Sequence, residues 1–130
     1  MAVDSVITID SHPIKVTDDD IYDILVTAFH GSDYWIMSVT MQGESRGKDT
    51  AEHVARGGEA KIVFLEADDG GNMDTTLTKD SILHALEKWY IEGYDCYYAI
   101  SPAGIDSASI DAAGADALLQ LALFTEVLYS

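Results

Sequence analysis

With Cys96 as its only cysteine the chain cannot form an intrachain disulfide, which excludes the stapled scaffold of a small secreted domain. Basic residues are scarce too: seven lysines and arginines stand against 23 aspartates and glutamates, a formal charge of −16. A surface of that sign repels phosphates and anionic lipid, so direct nucleic-acid binding and membrane attachment are excluded as function classes. Long apolar runs are absent. The longest, Leu118 to Phe124, is interrupted by Gln120 and falls far short of the ~20 residues of a membrane span. Met1 to Asp10 carries two acids and no cationic segment, which is not the pattern of a secretory signal, so a cytoplasmic location is expected.

What is present is enough for one core. The chain has 130 residues, 48% of them apolar and placed in periodic segments, so residues 1–130 are expected to form a single domain. Val6, Ile7, Ile9 and then Ile14 to Val16 flank Asp10-Ser11-His12-Pro13, the pattern of an N-terminal hairpin. Thr17 followed by Asp18, Asp19 and Asp20 is a helix start, and Ile21, Ile24, Leu25 and Ala28 continue at helical spacing to a closing Gly31. Tyr34 to Met41 alternates as a strand, with Trp35, Met37, Val39 and Met41 on one side. Asp49 or Thr50 can cap a short helix that runs to Arg56 and stops at Gly57-Gly58.

Lys61 to Ala67 is the strongest strand signal, Asp68 to Asn72 a hairpin turn and Asp74 to Leu77 the returning strand. Thr78 caps a helix carrying Ile82, Ala85, Leu86, Trp89 and Tyr90, ending at Gly93. Tyr94 to Ile100 fits either a strand or a packed irregular segment, and Pro102 to Ser109 reads as a loop. Asp111 then caps a last helix so apolar around its circumference that it belongs at the centre of the core or in an oligomer interface. The order ββαβαββαα lacks repeated β-α-β units, which predicts an α+β fold: a small, mostly antiparallel sheet with three to four packed helices.

Four groups of residues could carry chemistry. Gly43-Glu44-Ser45-Arg46-Gly47 matches the nucleophile-elbow pattern with His53 and His84 downstream, but the chain lacks the large parallel sheet that presents such a serine, and the match reads as a polar loop with no catalytic residue. His12, His30, His53 and His84 are scattered, and Asp68 to Asp74 places Met73 where a calcium loop needs glycine, so neither a metal nor a cofactor is expected. Four of the seven cations, Arg46, Lys48, Arg56 and Lys61, fall within sixteen residues. With Thr50 at a helix start, Arg46, Lys48 and Arg56 could hold a phosphate-bearing ligand, or they pair with the interleaved Glu44, Asp49, Glu52 and Glu59. The aromatic group Trp89, Tyr90, Tyr94, Tyr97 and Tyr98 suits either a recognition surface or the core.

Several stretches together resemble a family of small uncharacterised proteins encoded by phages and prophages of gut Firmicutes: Asp20 to Ile24 with Thr27-Ala28 and Gly31, Tyr34-Trp35, Val54 to Gly58, and Asp111-Ala112 through Ala115-Asp116-Ala117 to Gln120, Ala122 to Phe124 and Glu126-Val127. The family carries no assigned activity, so the resemblance transfers no functional residue. It implies a bacterial host and a class of acidic phage proteins that inhibit nucleic-acid-binding defence proteins, of the anti-CRISPR or anti-restriction kind. On that reading the carboxylates of Asp18, Asp19, Asp20, Asp68 and Asp69 mimic phosphates and meet a basic host protein. Two other readings stand beside it: a small-ligand or nucleotide-binding protein using Arg46, Lys48, Thr50 and Arg56, and a homo-oligomeric assembly protein built on the last helix.

Overall fold

The computed structural model describes residues 5–65 and 71–129. It is an α+β fold in which every strand pairing is antiparallel, but the strands form three separate sheets rather than one. The first is the hairpin of β1 (Ser5–Ile9) and β2 (His12–Val16). Its turn is only Asp10-Ser11, both at positive φ (51° and 68°), so a two-residue connection matched to strand twist forms here without glycine. Alternation then buries Ile7, Ile9, Ile14 and Val16 on one face.

Helix α1 (Asp18–Gly31) starts on a reciprocal cap: Thr17 accepts from the Asp20 amide, and Asp20 accepts from the Thr17 amide at 2.9 Å. Gly31 is its last helical residue rather than a left-handed terminator. Glycine is needed there because a Cβ would stand 2.9 Å from the Ala112 carbonyl oxygen of the last helix. After a turn through Ser32 to Trp35, β3 (Ile36–Gln42) begins two residues later than the sequence pattern implies. The alternation also breaks at Met37, where a bulge separates the Ile36–Phe64 and Ser38–Val63 pairs. Met37 is therefore exposed while Trp35 is buried.

Asp49 caps α2 (Thr50–Ala55), and Gly57 follows at φ 95°. Strand β4 (Glu59–Leu65) lies between β3 and β5 (Asn72–Leu77), with Leu65 opposite Asn72. The expected turn at Asp68 to Asn72 falls largely outside the described residues, as do Glu66 and Ala67. Thr78 caps α3 (Lys79–Ile91). The segment left open between strand and irregular structure is irregular up to Ala99, held by the Asp95 carboxylate, which accepts from the amides of Ala99 (2.7 Å) and Ile100 (3.0 Å). A two-residue hairpin, β6 (Ile100–Ser101) with β7 (Gly104–Ile105), and a 3₁₀ turn at Ser107–Ser109 occupy the stretch expected to be loop.

Asp111 caps α4 (Ala112–Phe124), which packs on both α1 and α3 and buries every residue from Ala115 to Leu121. Its apolar circumference is thus used at the centre of the fold, where Leu118 and Leu119 are fully buried. The chain leaves α4 through Thr125, in the left-handed region at φ 61°, and turns back over Trp35. No helix among the described residues is long and apolar enough to cross a membrane.

Candidate functional site

Of the carboxylates expected to form an acidic face, two of the three among the described residues are engaged in the fold. Asp18 is tied to Lys79 at 2.5 Å with both side chains largely buried, and Asp20 belongs to the α1 cap. Asp19 is exposed, while Asp68 and Asp69 lie outside the described residues. Other exposed acids, among them Asp10, Asp33, Glu44, Glu59, Asp80 and Glu126, sit on separate loops and elements rather than along one helix.

The cationic island is brought together more faithfully. Arg46, Lys48 and Arg56 line an open cleft of about 620 Å³ between α1 and the 45–56 segment, and Lys79, which sequence reasoning did not associate with them, joins it. Thr50 does not line this cleft but a separate one beside Tyr22, Phe29 and Val39. Acids interleave with the cations: Glu52 pairs with Arg56 at 3.6 Å and accepts from the Lys48 amide at 2.8 Å, and Asp18 and Asp19 form the opposite wall. Lys48 places its ammonium 4.9 Å from the centre of the Tyr22 ring. An incoming anion would have to displace these partners.

The segment is fixed by His53, which is buried at 1% exposure. Its Nδ1 accepts from the Arg46 amide at 3.0 Å and its Nε2 bonds the Gln42 carbonyl at 2.8 Å, partners that assign a neutral ring with the proton on Nε2. Ser45 donates to the Gly47 carbonyl at 2.9 Å. The serine and histidine of the elbow pattern are therefore each bonded to backbone, not to one another.

A different surface emerges over α4. Two cavities, of about 560 and 300 Å³, lie side by side and share Ala113 and Ala117, which stand one helical turn apart on the same face. Tyr34, Val127 and Tyr129 wall the larger, and Trp89, Tyr94 and Tyr97 wall the smaller. Carboxylates punctuate both: Asp116 in one, Asp95 and Asp111 in the other. Among the described residues no lysine, arginine or histidine lines either cavity. The result is one groove that is aromatic, anionic and floored by alanine.

Asp116 is the centre of that groove's construction. It is 9% exposed, and four neutral donors converge on it: Ser32 Oγ (2.6 Å), Trp35 Nε1 (2.7 Å) and Gln120 Nε2 (3.3 Å) on Oδ1, and Tyr34 OH (2.5 Å) on Oδ2. No ion pair to it is present among the described residues. Partial desolvation of its hydroxyl, then its hydrogen bond to Asp116 and that residue's charge, push the Tyr34 phenol up to about 12, so Tyr34 remains a donor at neutral pH. Gln120 carries the order outward: its Oε1 accepts from the amides of Leu128 and Tyr129, both at 2.8 Å, and its Nε2 donates to the Tyr129 carbonyl at 3.1 Å. The Tyr129 ring is thereby stacked on Trp35, with centroids 5.1 Å apart and planes 3° from parallel, and its hydroxyl donates to the Leu65 carbonyl.

Sequence reasoning singled out Tyr94 and Tyr97 but missed Tyr34, Asp116 and Gln120 as a unit. A signal was present: Asp116 and Gln120 are polar residues at i, i+4 in a helix otherwise apolar from Ala115 to Phe124. Among the described residues no cluster of three or more histidine, cysteine, aspartate or glutamate side chains suits a metal. No family model, curated protein or solved structure matches the chain.

Proposed function

We propose that the chain is an acidic interaction protein that binds a basic segment of another protein along the groove over α4. The observation that carries this reading is the groove's composition: aromatic walls and three carboxylates, with no cation lining it among the described residues, in a chain of charge −16. Aromatic pockets with satisfied polar groups supply the anchoring contacts of an interface, and the surrounding negative potential accelerates association with a positive partner. A partner of that charge is typically one that grips nucleic acid. Occupying such a surface would inhibit it, which is the anti-CRISPR or anti-restriction class of action, carried out by a prophage product in a bacterial cytoplasm. On this reading the contact lies along the α4 groove rather than at Asp18 and Asp20.

A second reading has one observation in its favour: four of the chain's seven cations line the cleft beside Tyr22. It makes the protein a binder of phosphate-bearing small molecules. One fluorescence-anisotropy series addresses both. A labelled basic peptide is expected to bind, and to weaken roughly tenfold as salt rises, because charge attraction worth about 1.4 kcal/mol is screened. Absence of peptide binding, together with a nucleotide response abolished by Arg46→Ala, would replace the first reading with the second.

A further inference from the structure

We propose that the cavity beside Asp116 is a socket for a single lysine side chain of the bound basic segment; this inference rests on the groove reading and specifies its anchor. Oδ1 of Asp116 already accepts from three buried donors, whereas among the described residues Oδ2 accepts only from Tyr34, a residue that itself lines the cavity. Of the two oxygens Oδ2 is therefore the less engaged, and it is the one available to an ammonium that enters the cavity Asp116 lines. Among the described residues no cation is paired with this carboxylate, so an ammonium delivered from outside would meet an uncompensated negative charge.

The walls suit the rest of a lysine. Tyr34, Tyr129 and Val127 offer aromatic and aliphatic surface to a four-carbon stem, and Ala113 and Ala117 leave the floor low enough to admit it. Tyrosine faces near an ammonium add a cation–π attraction. Arginine fits less well for a geometric reason: its planar fork gains most from two parallel bonds to both oxygens of a carboxylate, and Oδ1 is crowded by three donors. An ammonium needs only one oxygen.

The test compares a labelled oligolysine with an oligoarginine of equal length on the full chain. The lysine peptide is expected to bind roughly tenfold tighter, the worth of one charge-assisted hydrogen bond. Ala113→Leu, a substitution at an exposed helical position that narrows the cavity without changing charge, should abolish that preference and leave a weaker, sequence-blind attraction; unchanged melting confirms that this variant is folded. Asp116→Asn, where it folds, should do the same. Equal binding of the two peptides, or a lysine preference that survives Ala113→Leu, would overturn the socket while leaving the groove standing. Binding of neither peptide would overturn both.

Discussion

Replacing Asp116 by alanine is expected to cost the fold about 3–5 kcal/mol, because it strands a set of donors that have been taken out of water for its sake. Ser32 and Trp35 are 0% and 1% exposed, and both direct their polar hydrogens at Oδ1. Each buried donor left without a partner forfeits about 1–3 kcal/mol. Gln120 would lose one of the contacts that aim its amide, and with it the orientation that holds Leu128 and Tyr129 over Trp35. Against a total stability of 5–15 kcal/mol for an ordinary domain, the loss is expected to lower the melting temperature by roughly 10–20 °C. Urea unfolding followed by tryptophan fluorescence reads it directly, since Trp35 is part of the network. A change below about 0.5 kcal/mol, the size of an ordinary surface substitution, would show that the network contributes little.

The second large effect is expected at Gly58. A β-carbon there would fall on the imidazole of His53, inside van der Waals contact, and the ring has nowhere to go because both nitrogens are bonded and the residue is buried. Gly58→Ala should therefore cost roughly 2–4 kcal/mol, combining about 1–3 for overpacking with about 1 for one weakened backbone bond. The loop from Gln42 to Lys48 loses its anchor in the same event, and the amide of Arg46 should lose protection from hydrogen exchange. The cause can be isolated: in a His53→Ala background the ring is gone, and most of the Gly58→Ala penalty should vanish with it. A penalty that is the same in both backgrounds would place the strain elsewhere.

The contrast between these two sites and the helix starts shows what a sequence can disclose. Thr17, Asp49, Thr78 and Asp111 cap their helices because each side chain reaches an amide within three residues, so the information is local and readable. Sheet membership was less legible. Alternation predicts a strand from Tyr34 to Met41, yet the bulge at Met37 depends on how β3 meets β4 and leaves no mark in the spacing of residues. The glycines divide in the same way. Gly57 and Gly93 close helices at positive φ (95° and 83°), as their positions suggest, whereas Gly31 and Gly58 are required by close approach of parts that only the fold brings together.

The candidate site lies at the nonlocal extreme. Ser32, Tyr34 and Trp35 reach Asp116 across 84, 82 and 81 residues of chain, so their meeting follows from α1 packing on α4 and not from any motif. The cationic cleft, in contrast, was largely visible as a cluster in the chain, and the structure altered it by adding Lys79 and removing Thr50 and Lys61, the latter paired with Asp74 at 3.6 Å. Tyr34, Trp35, Asp116 and Gln120 have specific structural tasks in the α4 network, and Gly58 has one in the packing around His53.

The most direct test of the groove is to map where a polycation lands, by following amide chemical shifts of the labelled protein as oligolysine is added. Changes gathered at Tyr34, Ala113, Ala117 and Val127 and continuing to Tyr94 and Tyr97, with Arg46, Lys48 and Arg56 unmoved, are the expected result. Small changes scattered over exposed acids such as Asp10, Asp19, Asp80 and Glu126, with none concentrated along α4, would contradict it and leave only diffuse attraction between opposite charges.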